Sequence, residues 1–328
     1  MNIYLTGSIA YDYLMTFPGY FKEHILPEHL ESISLSFLVD EMVRQPGGVA
    51  ANIAYTLALL GEKPKLVATA GVDFSEYQST LEKAGVDTSR VKIIDDKFTA
   101  SFFVNTDQSN AQIASFYAGA MADAGQISMK ALNLAPDDIV MISPNAPDAM
   151  IKYALECQTV GVRYIFDPSQ QIVRLNGDDL KMGVQGAHAL FANEYEFELL
   201  QKHSQLSADD IINSVAFAVI TRGKDGCRVY ENGKLRGEVP VFQPSKTLDP
   251  TGVGDAFRAG FLKGYLHNFD LLLCAQIGAL AATFCLEEKG TQNHCYQMDA
   301  FIKRFRTQFD DKGALNAFLE EKDNNFLR

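Results

Sequence analysis

The hydrophobic positions of the second half of this chain fall into short continuous runs separated by segments of helical spacing. Ile139–Ser143, Arg163–Asp167, Ala189–Ala192 and Phe217–Thr221 read as strands, and Pro147–Val160, Asp178–Gln185 and Glu194–His203 read as helices between them. Strand–helix repetition with strands apolar throughout predicts a mostly parallel sheet with helices on both faces, an α/β fold. Cys227–Tyr230 and Lys234–Pro240, joined through Asn232-Gly233, predict a hairpin. Three helices follow, at Ala256–Leu266, Leu271–Glu287 and Met298–Phe309, and the tail from Asp310 reads as a last amphipathic helix or as loose chain.

The first half is less regular. Asn2–Ser8 is an apolar run ending in Gly7, as expected of a buried strand feeding a binding loop that contains Asp12. Gly48–Leu60 and Glu76–Ala84 read as helices closed by Gly61 and Gly85, with Lys65–Ala70 a strand between them. Partial alternation marks Ile33–Val39, Thr99–Asn105 and Gln112–Tyr117 as half-exposed strands. Coming from two separated regions, these are expected to build a small sheet outside the main one.

Composition narrows the field. Apolar residues are 47% and charged residues 21%, values of a globular chain with a substantial core. A formal charge of −12 argues against a nucleic-acid partner, which needs clustered Lys and Arg. The five cysteines form no CxxC pair and the histidines are scattered, so neither a disulfide framework nor a zinc site is expected. The chain opens directly on a strand-like run, and its longest apolar stretch, Leu271–Leu286, is short for a bilayer. A cytoplasmic protein without membrane association is expected.

The stretch with most chemistry in it is Asp249–Leu262, DPTGVGDAFRAGFL. Asp249-Pro250 closes an extended segment, and Gly252 and Gly254 permit backbone angles denied to other residues. A helix follows at once, so its unpaired N–H groups and positive dipole end are open to an anion. Asp255, in the same turn, reads either as a helix-capping residue or as a carboxylate beside the anion hole. Spacing alone leaves both open.

DPTGVGDAFRAGFL resembles the carboxy-terminal signature of the ribokinase-like, or PfkB, carbohydrate and nucleoside kinases, with Val253 where alanine is commoner. PGGVAANIAYTLALLG (Pro46–Gly61), with Gly71 beyond it, resembles the amino-terminal signature of the same family. The resemblance implies one ribokinase-like α/β domain over residues 1–310, with lid segments at about 11–40 and 98–120, followed by a tail at 311–328. It implies Asp255 as general base and the N–H groups of Gly252, Val253 and Gly254 as the hole for the transferred phosphoryl group. Asp12, Gly47, Gly48 and Asn52 would hold the acceptor. Asn193, Thr221, Gly223, Gly226 and Gly254 would follow ATP, since Thr221–Gly226 resembles the family's Thr-x-Gly-x-x-Gly segment. Glu196, in Asn193-Glu194-Tyr195-Glu196, would organise Mg2+-bound water, and Asp167 is a further candidate near the metal. Asp249 and the Thr251 carbonyl fall where some relatives bind a monovalent cation such as K+. A homodimer through the lid is also in keeping with the family.

Asp249-Pro250-Thr251, Arg258, Asp167–Gln171 and Lys289–His294 resemble the adenosine or nucleoside kinase branch. Phe17, Phe37, Phe102, Phe103, Phe116 and Tyr117 are candidate aromatic walls for a base. The expected acceptor is therefore adenosine or another purine nucleoside; the alternatives are a free sugar such as ribose or fructose, and a silent relative that binds without turnover.

Overall fold

The computed structural model describes residues 1–25, 31 and 34–320. Its main sheet is built from β1 (Ile3–Thr6), β4 (Lys65–Val67), β9 (Ile139–Ile142), β10 (Arg163–Phe166), β11 (Ala189–Asn193), β12 (Phe217–Thr221), β13 (Cys227–Glu231) and β14 (Lys234–Val239). Their order across the sheet is β14-β13-β12-β11-β10-β9-β1-β4. The six strands from β4 to β12 are parallel, and the predicted hairpin adds β13 and β14 antiparallel at one edge. Asn232 and Gly233, at φ 49° and 77°, make its turn. The strand interiors are buried on both faces, which is why they read as unbroken apolar runs.

Helices cover both sides. α1 (Val49–Leu59), α7 (Val253–Leu266) and α8 (Leu271–Leu286) lie on one side with α2 (Ser75–Ala84). On the other lie α3 (Pro147–Val160), α4 (Gly177–Gln185), α5 (Glu194–Ser204) and the short α6 (Ala208–Asn213), which the sequence pattern did not indicate. α9 (Met298–Phe305) packs on α8 and ends one turn sooner than its apolar pattern suggested. Among the described residues, no helix is long and apolar enough to cross a membrane.

A separate four-stranded sheet, in the order β3-β2-β7-β8, comes from β2 (Ala10–Thr16), β3 (Glu41–Gly47), β7 (Ala100–Thr106) and β8 (Gln112–Tyr117). Two expectations fail here. The strand assigned to Ile33–Val39 is absent from its described part, 34–39, which forms no ladder; position 33 lies outside the described residues. Phe37 instead packs edge-on against Phe17 and Phe21, which stack at 5.4 Å, so aromatic packing and not pairing shapes this segment. The pairing falls to β3, which runs antiparallel to β2 from Ala10↔Gly47 to Thr16↔Glu41. Asp12 is accordingly on a strand and not in a loop. Lys65–Ala70 is also divided: β4 joins the main sheet, whereas β5 (Thr69–Gly71) leaves it to pair with β6 (Lys92–Ile94). The described tail continues into a helical turn at 314–320, with Leu315 and Phe318 buried.

The position of α7 depends on glycines. A Cβ on Gly260 would lie 2.8 Å from the Cα of Gly278, and one on Gly278 would lie 2.7 Å from the Phe257 carbonyl. α7 and α8 therefore touch backbone to backbone. Gly278→Ala must push them apart, at about 1–3 kcal/mol for overpacking. Urea unfolding should show a lower midpoint at unchanged slope, and an unchanged midpoint would mean that the helices are not held this closely.

Candidate active site

Strand β2 carries Asp12 to the start of α1. Its carboxylate rests against Gly47, where a Cβ would stand 2.5 Å from Asp12 Oδ2, so the turn closes on the carboxylate only with glycine there. Gly48 caps α1 at φ +93°, and the first amide of the helix, that of Val49, donates to Ser8 Oγ at 3.0 Å. Within the first turn, Asn52 Nδ2 donates to Asp255 Oδ2 at 2.9 Å. The two signature segments are thus in direct contact.

The helix bearing Asp255 begins at Val253, with Gly252 as its cap at φ +76°. Asp255 is its third residue and makes no cap bond, and its carboxylate turns to Asn52 instead. The turn before it is clamped. Asp249 Oδ1 accepts from Thr251 N–H and Oδ2 from Gly290 N–H, both at 2.9 Å, and Thr291 Oγ1 donates to the Pro46 carbonyl at 3.0 Å. The Thr251 carbonyl takes the Cys285 thiol at 3.6 Å.

On the far side of this turn opens a cleft of about 970 Å³. Asn193, Thr221, Gly223, Gly226 and Gly254, the five positions expected along a nucleotide, all line it. They meet there because β11 and β12 end side by side at the carboxyl edge of the sheet, where open α/β sheets bind ligands. Val239, Phe242, Ala279 and Leu286 give it apolar walls. Asn193 and Glu196 form a reciprocal capping box at the start of α5, and Ser169 Oγ donates to the other Glu196 oxygen at 2.8 Å.

Charge is concentrated at the junction. Asp167, fully buried, faces the Arg258 guanidinium with both oxygens: Nη2 donates to Oδ1 at 2.7 Å, and Nε lies 2.6 Å from Oδ2. Asp167 is therefore occupied by an arginine and is not a free metal ligand. Burial works against the Arg258 charge, but Asp167, Asp255 and Glu196 outweigh it and push its pKa up. Burial also raises Asp255, against Arg258 and the Asn52 hydrogen bond, to about 6. Asp12 is raised to about 6 as well, by burial and then by Asp249.

Two further residues sit in this network. Gln292 Nε2 donates to Asn52 Oδ1 at 2.8 Å and to the Tyr77 hydroxyl at 2.5 Å, and Tyr77 donates to the Gly47 carbonyl at 2.9 Å. Tyr77 carries no motif signal, and Gln292 is marked only by the resemblance of Lys289–His294. The aromatic candidates divide. Phe17 and Phe37 pack with each other and with Phe21. Strand register puts Phe102 and Phe116 on the face that carries Asp12, and Phe103 on the opposite face, where it stacks on Tyr13 at 4.6 Å. Tyr117, next to Phe116, also takes the opposite face.

A mostly parallel sheet with helices on both faces, a small second sheet and a glycine-started helix beside a cleft is the architecture of the ribokinase-like kinases. Residues 10–298 match the pfkB family carbohydrate kinase model, and the chain belongs to that family, phosphotransferases acting on hydroxyl acceptors. It is 30% identical over 92% of its length to a nucleoside kinase of Methanocaldococcus jannaschii, covering 96% of that protein. A cytidine kinase of Thermococcus kodakarensis is 28% identical over 80% of the chain and 95% of its own length. The structure of Burkholderia thailandensis nucleoside kinase in complex with inosine superposes with a TM-score of 0.82 at 32% identity, covering 94% of this chain and 98% of that one.

The raised pKa of Asp255 has a consequence for stability. The fold favours its neutral form, so the benefit is complete below the ordinary carboxylate pKa and is lost as pH rises through about 6. Asp255→Asn, which is neutral throughout, should therefore melt above the wild type at pH 8, with the gain shrinking toward pH 4.5. Thermal melts of both proteins across that range test this, and a gain independent of pH would show that Asp255 is ionised at no cost.

Proposed function

We propose that this chain transfers the γ-phosphoryl group of ATP to the 5′-hydroxyl of a nucleoside, with adenosine the leading acceptor. The observation that carries the reading is the position of Asp255. It is tied through Asn52 to the pocket around Asp12 and Gly47, and the same helix turn supplies Val253 and Gly254 to the cleft. A hydroxyl beside Asp12 and a phosphate at the α7 N-terminus would meet at one carboxylate.

In this reading Asp12 accepts hydrogen bonds from neighbouring ribose hydroxyls, and Gly47 and Gly48 allow the ring close to the backbone. Asp255 takes the proton of the primary hydroxyl as its oxygen attacks phosphorus. Its pKa of about 6 leaves it ionised at neutral pH yet basic enough to share that proton. The N–H groups of Gly252, Val253 and Gly254 and the α7 dipole stabilise charge on the phosphoryl group, with the Arg258 cation close behind Gly254. The small sheet acts as a lid that keeps water from competing as acceptor.

Magnesium arriving with the nucleotide would neutralise its β- and γ-oxygens. Among the described residues, no group of three or more His, Cys, Asp or Glu is placed to hold a metal. The donor set therefore suits an ion held by phosphates and water, with Glu196, next in sequence to the cleft residues Glu194 and Tyr195, as the residue that would receive a water. Asp249 and the Thr251 carbonyl offer a monovalent cation two donors already engaged in the turn, and no step here uses one.

Phe102 and Phe116 share the Asp12 face with Val43, Val104 and Ala114. That balance suits a flat base better than a free sugar, and the named nucleoside and cytidine kinases agree with it. kcat/KM should be highest for a nucleoside, adenosine ahead of inosine and cytidine, and at least about tenfold above ribose or fructose, a difference of about 1.4 kcal/mol. A free sugar outperforming every nucleoside would sink the acceptor assignment, and no turnover with any of them would leave a binding protein. Asp255→Asn should lose about 10²–10⁴-fold in kcat with the KM for ATP little changed. Near wild-type kcat in that variant would remove Asp255 as the base.

A further inference from the structure

We propose that Gln292 is a positioning residue for phosphoryl transfer: seated between Asn52 and Tyr77, it fixes the Asn52 amide in the one orientation that donates to Asp255. The proposal rests on the kinase reading above.

Hydrogen-bond direction fixes this arrangement. An ionised Asp255 only accepts, so the Asn52 NH2 must face it and the Asn52 carbonyl must face away. That carbonyl meets Gln292 Nε2 at 2.8 Å. The second Nε2 hydrogen goes to the Tyr77 oxygen at 2.5 Å, and the Tyr77 proton is spent on the Gly47 carbonyl at 2.9 Å. Donors therefore run one way, from Gln292 through Asn52 to Asp255. Reversing Gln292 would set its carbonyl against that of Asn52. Reversing Asn52 as well would set an oxygen against the Asp255 carboxylate.

Gln292 accepts a cost for its orientation. It is 7% exposed, and its Oε1 is buried with no partner. The reversed amide would set that oxygen against a Tyr77 hydroxyl whose proton is already given to Gly47, and would unpair Asn52. Its position is fixed from outside, because Thr291 holds Pro46, and Gly290 donates to Asp249. The other groups whose charge bears on Asp255 are Arg258 and Asp167 at the end of β10, Glu196 on α5, Tyr77 on α2 and Cys285 on α8. Of these only Tyr77 touches Gln292, and its proton stays on the Gly47 carbonyl when Gln292 is replaced.

The test uses Gln292→Met and Gln292→Glu, both close in size and neither able to donate from that position when the glutamate is ionised. The acid limb of kcat/KM for the nucleoside against pH should move up by about one unit in Gln292→Met, the loss of one oriented donor to a carboxylate, and further in Gln292→Glu. The KM for ATP should stay within about twofold, since the nucleotide cleft is untouched. Tyr77→Phe, which removes the second anchor of the amide, should move the limb the same way and by less. An acid limb unmoved in every variant that folds overturns the proposal. A second readout does not need catalysis: the difference in melting temperature between Asp255 and Asp255→Asn proteins, followed against pH with and without Gln292→Met. Its midpoint should rise when Gln292 is replaced, and an unmoved midpoint overturns the proposal even if Asp255 proves not to be the base. If the midpoint moves while Asp255→Asn keeps its kcat, the positioning chain stands and the mechanism above fails.

Discussion

A part-buried carboxylate at a helix N-terminus, which the proposed chemistry would need ionised, is the constraint on which the rest of this structure turns. Asp255 lies among Asp167 and Glu196, and burial alone would leave it protonated. Three features oppose this. Arg258 supplies a buried cation, itself held by the two oxygens of Asp167. The dipole of α7 favours negative charge in its first turn. Asn52 gives the carboxylate a donor from another part of the chain. The outcome is a group near pH 6, where modest changes in its surroundings alter its charge at neutral pH.

The backbone is arranged to serve this group. α7 can bring its first turn to the junction only because it lies flush on α8, and that contact is made at Gly260 and Gly278. The turn ahead of it is held by residues 290–291, which in turn hold Pro46. One short segment after α8 thus ties the start of α7 to the start of α1. The two helix starts are braced against each other, which would suit the proposed transfer between two aligned substrates.

How much of this was legible in the sequence depended on whether a residue's role was local. The parallel sheet was plain because strands buried on both faces read as apolar runs, and the hairpin because Asn232-Gly233 has one favoured turn. Of the glycines in the two signatures, Gly48 and Gly252 take angles that favour glycine, at φ 93° and 76°, whereas Gly254, expected to do the same, is already helical and its lack of a side chain leaves room for Arg258. β2 was missed because a strand carrying Asp12 on a partly open sheet lacks that apolar run, and its partner was misplaced by the alternation in Ile33–Val39, part of which belongs to an aromatic cluster. Gln292 and Tyr77 bond to each other across 215 residues of sequence, and no window along the chain could link them. Asp167 looked like a ligand until its arginine was seen.

The same distinction bears on the acceptor. Counting aromatics along 98–120 favours a base, but the alternation of a strand divides that count in two. Phe103 and Tyr117 fall on the face away from Asp12, and Phe17 and Phe37 are consumed by their own packing. What remains on the Asp12 face is Phe102 and Phe116, one on β7 and the other paired with it across on β8. Phe116 is half exposed, as is Val43 on the opposite edge of the same face. An apolar surface left open on the Asp12 side, next to a carboxylate suited to ribose hydroxyls, has the two-part character of a nucleoside. A free sugar would use the carboxylate and leave the aromatic half in water. The proposed preference for nucleosides thus rests on two rings and their register, and not on the aromatic content of the small sheet.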